Sequence, residues 1–427
     1  MITAPVDERR LDALRELLAG MNRAPGLADP RNTLVPFYQF GTLHVARLVI
    51  IEALTNDDIR AHGEEPRPWP PTLAFLGDVD GDGEWFLAEL AVRAGEGLTR
   101  IFDHCVDFSA GHSDLLAWMR DHNRRPAANY VNWRGRTLRQ VREEAALVER
   151  LRAHLRSPEL VAMRGHPLAQ HAALKARVDI AVAEGKLRLS EPEPTPAPWW
   201  LANILHLLAW PLVLLLLSPL LVLAAPVYLW RLRRLERADP ENRERPGRAH
   251  LARLAEQEDL DVSNQFNVFG QVKPGRFRRL TIRVLLGLLD YSARHVYRRG
   301  YLTRVQTIHF ARWVLLDGGR RVYFASNYDG SADSYMDDFI NKVAWGLNLV
   351  FGNGVGYPRC RWLVLGGAKH EQKYKYTLRR NQLPSQCWYK AYPGLTAVDL
   401  ARNAQVRAGL ALRRPTRAAA SRWLELL

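Results

Sequence analysis

Two histidine–arginine pairs of identical spacing, His44/Arg47 and His309/Arg312, are the residues of this chain best equipped for chemistry. An imidazole titrates near neutral pH and a guanidinium is a fixed cation. Together they can move a proton and hold a developing negative charge, the work that cleaving a peroxide requires. Each pair is followed by an aspartate, Asp80 in GDVDG and Asp329 in SNYDG. The candidate catalytic set is therefore His44, Arg47, Asp80, His309, Arg312 and Asp329. On a regular strand, however, residues three apart point to opposite faces, so one strand does not aim both members of a pair into one pocket. The competing expectation is structural. The histidines would be hydrogen-bonded in the core, with Arg47 paired to Asp80 or Glu89 and Arg312 to Asp329 or Asp338, because an unpaired buried charge is costly.

The segment DVDGDGEWFLAE, residues 78–89, puts Asp78, Asp80 and Asp82 at alternate positions, Gly83 at the sixth and Glu89 at the twelfth. That is the ligand spacing of a calcium loop, which needs a sharp turn and a closing carboxylate. Asn327, Asp329, Ser331 and Asp338 repeat it. Trp85 and Phe86 are unusual inside such a loop, and Asp, Asn, Ser and Gly are equally what a turn and a helix N-cap need.

The elements that must carry these residues recur. TLHVARLVII at 42–51 matches TIHFARWVLL at 307–316, and FLGDVDGDGEWFL at 75–87 aligns without gaps to FASNYDGSADSYM at 324–336. The register continues through Gly97/Gly346 and Phe102/Phe351, and a second offset aligns His112, Asn123 and Pro126 with His370, Asn381 and Pro384. Each copy predicts two strands, a helix over 84–101 or 333–350, a helix near 113–123 or 371–381, a strand (ANYVNW or QCWYKAY) and a last helix. RWLVLGG at 361–367 predicts a further strand in the second copy. The first strand is apolar on both faces and must be covered on both. Helices would cover one face and the other copy's sheet the second.

This order predicts an α+β protein of tandem duplicated ferredoxin-like units packed as an α/β barrel, and it resembles the dimeric α/β-barrel superfamily. GDVDG is similar to the GxxDG motif of dye-decolourising peroxidases, themselves two ferredoxin-like halves. That resemblance implies haem, with Asp80 as distal acid and His370 or His112 as the candidate haem ligands. The second copy departs from the motif, with Ser326 in place of its first glycine.

Between the copies, Trp199 to Trp230 carries no charged residue, so it predicts a membrane segment. Thirty-two residues of straight helix would span roughly 48 Å, against a hydrocarbon core of about 30 Å. Pro211, Pro219 and Pro226 interrupt it. Packing of the two copies on one side of the membrane favours a hairpin turning near Ser218-Pro219 over a single kinked span. RLRRLER at 231–237 marks a cytoplasmic flank. The expected organisation is a helical segment at 1–39, a first repeat at 40–155, helix and Pro-rich linker at 156–198, membrane segment at 199–237, connector at 238–304, second repeat at 305–412 and tail at 413–427. In the connector, residues 276–299 predict a basic amphipathic helix with Leu280, Val284, Leu288 and Tyr291 on one face.

The net charge of +15 and 60 Lys and Arg residues suit an anionic surface. Clustering of arginines beside the apolar segment points to anionic lipid, and no nucleic-acid motif accompanies it. Cys105, Cys360 and Cys387 form no CxxC pair, which fits a reducing compartment. There is no P-loop, dinucleotide fingerprint, GxSxG or HExxH. Two functions follow as expectations. One is a membrane-associated, haem-dependent, peroxidase-like oxidoreductase acting on a lipophilic small molecule. The other is a non-catalytic membrane-anchored binding or scaffold protein, with calcium as the alternative cofactor.

Overall fold

The computed structural model describes residues 1–242, 244–297, 302 and 305–427. Its main strands are β1 (Ile2–Pro5), β2 (Leu43–Ile51), β3 (Thr72–Val79), β4 (Ala128–Val131), β5 (Ser263–Gln271), β6 (Ile308–Leu316), β7 (Arg321–Asp329) and β8 (Cys387–Lys390). Its main helices are α1 (Leu11–Ala19), α2 (Gly83–Phe102), α3 (Leu115–Asp121), α4 (Leu138–Leu155), α5 (Pro167–Ala183), α6 (Ala197–Ala238), α7 (Arg276–His295), α8 (Ala332–Phe351), α9 (Glu371–Arg380), α10 (Ala397–Leu410) and α11 (Arg417–Leu424).

The strands form two separate sheets. The first runs β1–β3–β2–β8 and ends in the short strands Leu27–Ala28 and Asn22–Ala24; the second runs β4–β6–β7–β5. Parallel pairing of β8 with Leu27–Ala28 makes the first sheet mixed. The late strand β8 lies antiparallel beside β2, with Trp388 opposite Arg47, and the early strand β4 lies beside β6, with Asn129 opposite Arg312. Each half of the chain thus supplies a strand to the other's sheet. No ladder joins the two sheets among the described residues, so the expected closure into a barrel is not seen.

Both faces of β2 are buried, as its composition requires. Ala46, Leu48 and Ile50 pack under α1, α2 and α3 with Leu14, Leu90 and Trp118. Val49 and Ile51 meet Val314, Leu316 and Tyr323 of the second sheet. The second sheet's outer face is covered by α7, α8 and α9 through Ile282, Leu286, Tyr335 and Tyr374. A further cluster joins α4, α5, α10 and α11.

Several expectations need correction. RWLVLGG is no full strand: Cys360–Arg361 and Leu365–Gly366 pair around a turn in which Trp362 and Leu363 have φ of 57° and 60°. The N-terminal segment is not only helical, because Ile2 to Pro5 form an edge strand on β3. The connector holds β5, an edge strand on β7 that the polar run NQFNVFGQ did not announce. Finally, the apolar segment does not turn at Ser218-Pro219. It is one continuous helix of 42 residues with Pro211, Pro219 and Pro226 inside it.

At about 1.5 Å per residue, the 42 residues of α6 are about 63 Å long. The helix is long and apolar enough to cross a membrane, and its most apolar stretch is exposed. It lies antiparallel along α7. His206 Nδ1 is 2.8 Å from His295 Nε2. The Trp210 ring lies 3.0 Å from where a Cβ would stand on Gly287, the Tyr228 and Phe277 rings are 5.0 Å apart, and Arg231 lies over Phe277. Beyond this contact the helix end is fastened to the body. The buried Glu236 carboxylate accepts the N–H groups of Trp362 and Leu363 at 2.9 and 2.8 Å.

Candidate functional site

His44 and His309 each fall where the ladder skips a residue: the register shifts between Leu43 and Val45 and again between Ile308 and Phe310. Such bulges break strict alternation and re-aim a side chain. His44 and Arg47 therefore both reach the second half of the chain, but they meet different residues there and share no partner. The His44 ring packs edge-on against Phe310 and Tyr392, while Arg47 bonds Phe266 O and Asn267 Oδ1 at 3.2 and 2.8 Å.

Each histidine pairs with the aspartate that ends the neighbouring strand. His44 Nε2 lies 2.9 Å from Asp80 Oδ1, and His309 Nε2 lies 2.7 Å from Asp329 Oδ1. The second oxygen of each carboxylate accepts a helix N-terminal amide, Leu138 N for Asp80 and Ala397 N for Asp329, both at 2.7 Å. These helices open with capping boxes, Thr137/Gln140 and Thr396/Asp399, so each carboxylate sits at the positive end of a helix dipole. Burial alone would raise the Asp329 pKa. Bonds from His309, Ser263 and Ala397 N–H, with the His309 charge, outweigh burial and hold it below the usual range.

Tyr392 is buried between the two pairs, its ring 5.8 Å from that of His44 and 6.1 Å from that of His309. Lys390 Nζ bonds Ser263 Oγ at 2.7 Å and Leu395 O at 2.8 Å, and burial lowers its pKa against the attraction of Asp261. Ser263, His309 and Asp329 share residue types with a nucleophilic triad but not its arrangement. Ser263 donates to Asp329 at 2.6 Å and is 3.5 Å from His309 Nε2. A groove between α4 and α10, lined by Arg142, Arg402 and Asn403, reaches Tyr392 but neither histidine.

The arginines do not take the partners expected of them. Arg312 bonds Gly77 O at 3.1 Å and pairs with Asp78. Arg47 bonds Ser326 O at 3.0 Å and the side chain of Asn327. Neither touches its own half's aspartate. They run in opposite directions between the sheets, each reaching the end of the other half's second strand. Burial lowers the pKa of Arg47, whose side-chain bonds go to carbonyl and amide oxygens.

The four calcium-spaced carboxylates diverge. Asp78 goes to Arg312 and Asp80 to His44, Asp82 caps α2 through Glu84 N, and Glu89 pairs with Arg93. No cluster of metal-ligating side chains forms among the described residues. His112 and His370 are exposed, one in the loop before α3 and the other at the N-cap position of α9, and among the described residues neither hydrogen-bonds a member of the His–Asp pairs.

Sequence reasoning missed a buried charge cluster below α6. Lys273 and Arg278 both bond Asp239 Oδ2, at 2.7 and 2.8 Å. Arg278 lies within the stretch 276–299 that predicts a basic amphipathic helix, yet it is buried. The only signal in the sequence was that Glu236 and Asp239 interrupt an otherwise basic run.

Comparison with protein-family models, with curated proteins and with solved structures gives no match.

Proposed function

We propose that this chain is a membrane-attached binding or scaffold protein, with α6 laid within one leaflet and the α+β body on the cytoplasmic face. The observation that carries this reading is the side-by-side contact of α6 with α7, which covers one flank of an apolar helix and leaves its leucines exposed. Were α6 to stand upright across the bilayer, α7 would be drawn in with Arg279, Arg283, Asp290 and Arg294. A single such charge at the bilayer centre costs about 2.5–3.5 kcal/mol by insertion scales. A flat α6 instead gives its apolar surface to the acyl region, and Arg231, Arg234 and Arg237 reach anionic headgroups. Leu280, Val284 and Leu288 of α7 are exposed beside it and extend the same surface. Three internal prolines, each costing about 3 kcal/mol in an ordinary helix interior, are more frequent in membrane helices.

The body reads as two copies of one ferredoxin-like unit. The aligned sequences support this, as do the reciprocal arginine bonds. So does the departure from helical geometry at Ala94 in α2 and Val343 in α8, positions that share one alignment offset. The His–Asp pairs favour a binding or scaffold role over the peroxidase-like one, since both oxygens of each carboxylate are taken by protein donors and the groove stops at Tyr392.

Vesicle flotation tests the anchor. The full chain is expected to float with anionic vesicles and stay bound in high salt, which screens charge but not burial. A chain lacking 199–230 is expected to remain soluble. Release of the full chain by salt, or flotation of the deletion, would overturn the assignment.

A further inference from the structure

A cavity of about 160 Å³ lies between α7 and α8 over the second sheet, lined by Leu288, Leu289, Trp313, Met336, Phe339 and Val343 among others. Its size is comparable to that of apolar cavities of about 150 Å³ that stay dry and accept benzene. Two of its hydroxyls are already committed, Ser292 Oγ donating to Leu288 O at 2.8 Å and Tyr335 bonding Ser326 at 2.7 Å. Such a space rewards hydrocarbon and offers little to a polar group.

The first half closes the corresponding surface itself. A Cβ on Gly97 of α2 would stand 1.9 Å from Leu34 O, and Phe37 and Phe40 complete that cover. The aligned Gly346 of α8 instead lines the cavity, and a Cβ there meets only the Val343 side chain. The rim is exposed at Leu288 and Trp345. Leu288 adjoins Gly287, on which Trp210 of α6 rests. The cavity mouth therefore lies beside the surface assigned to the leaflet.

Resting on the membrane reading above, we infer that this cavity takes the end of one acyl chain of a membrane lipid. Its volume admits a short terminal stretch of hydrocarbon rather than a whole lipid, and its position lets a chain enter without leaving the bilayer.

The test uses the full chain on vesicles doped with phosphatidylcholine bearing a photoactivatable diazirine, either at the tip of one acyl chain or near its carboxyl end. Tip-labelled lipid is expected to crosslink to Met336, Phe339 or Val343 as well as to α6, and carboxyl-end label to α6 but not to these three. Gly346→Leu or Leu349→Trp, which fill the space, should abolish the α8 crosslinks and keep those on α6. Crosslinks confined to α6 would overturn this inference and leave the membrane reading intact. No crosslink anywhere would overturn both. Equal labelling of α8 from both diazirine positions, or labelling only by a diazirine fatty acid free in solution, would contradict the entry of a lipid tail from the bilayer.

Discussion

Arg312 and Arg47 look alike in the sequence, yet their surroundings differ in a way that separates their mutational effects. Arg312 faces a carboxylate, Asp78, and both side chains are only 11% exposed. Removing one member of a buried pair leaves an uncompensated charge, a loss of roughly 3–5 kcal/mol. Arg312→Ala should therefore unfold at distinctly lower denaturant than the parent, and Arg312→Ala/Asp78→Ala should recover part of the loss; equal midpoints for parent and single variant would contradict the pairing. The acid limb of stability tests the second pair. The folded pKa of Asp329 is held below its ordinary value, so its contribution is fully present above the unfolded pKa of about 3.9. It is lost as pH falls through the folded value. Melting temperature measured from pH 6 down to pH 3 should fall less steeply in Asp329→Asn than in the parent. Burial pushes the thiols of Cys105, Cys360 and Cys387 up to about 12, so the native chain should resist a thiol reagent that labels the unfolded chain. At this scale the sequence showed which residues were exceptional but not whom they meet. Proximity along the chain suggested local partners for both arginines, whereas the real partners lie 219–280 positions away.

Elements were read best where their pattern was strong. Helices at 84–101 and 333–350 were expected within a residue of α2 and α8, because their apolar positions repeat at helical spacing above a clear cap. Strand β5 escaped because Asn264, Gln265, Asn267 and Gln271 are buried polar residues whose side chains bond to neighbouring loops and to the short helix Asn56–Ala61. The His44 and His309 bulges escaped because an inserted residue leaves no mark in composition. The prolines of α6 suggested a turn that the backbone does not make. A contrast between two aligned glycines tests the packing of α2 and α8. Gly97→Ala would drive a methyl into the Leu34 backbone and should destabilise the fold by about 1–3 kcal/mol or more. Gly346→Ala meets the Val343 side chain beside a cavity rather than backbone and should cost clearly less. Thermal denaturation of the two variants decides the comparison.

The whole molecule is tied together by exchange. Strand β4 of the first half completes the sheet of the second, β8 of the second completes the sheet of the first, and the arginines cross between them. Residues 1–155 expressed alone lack β8, one of the two neighbours of β2, and β6, the partner of β4. That fragment should show no cooperative unfolding transition by circular dichroism. What the sequence made legible at this scale was the mixed α+β class and a long apolar helix; the exchange of strands was hidden, since nothing local in ANYVNW or QCWYKAY names the sheet it joins. The central claim is that α6 lies flat in one leaflet, and it is tested most directly by the sidedness of its ends. Because the natural cysteines are buried, single cysteines can be placed at the exposed positions Thr195 and Arg248, before and after the helix. With protein bound to the outside of preformed sealed vesicles, a membrane-impermeant maleimide should label Thr195→Cys and Arg248→Cys equally, with no gain when detergent opens the vesicles. Protection of either cysteine until the vesicles are opened would mean that α6 crosses the bilayer, and would contradict the account.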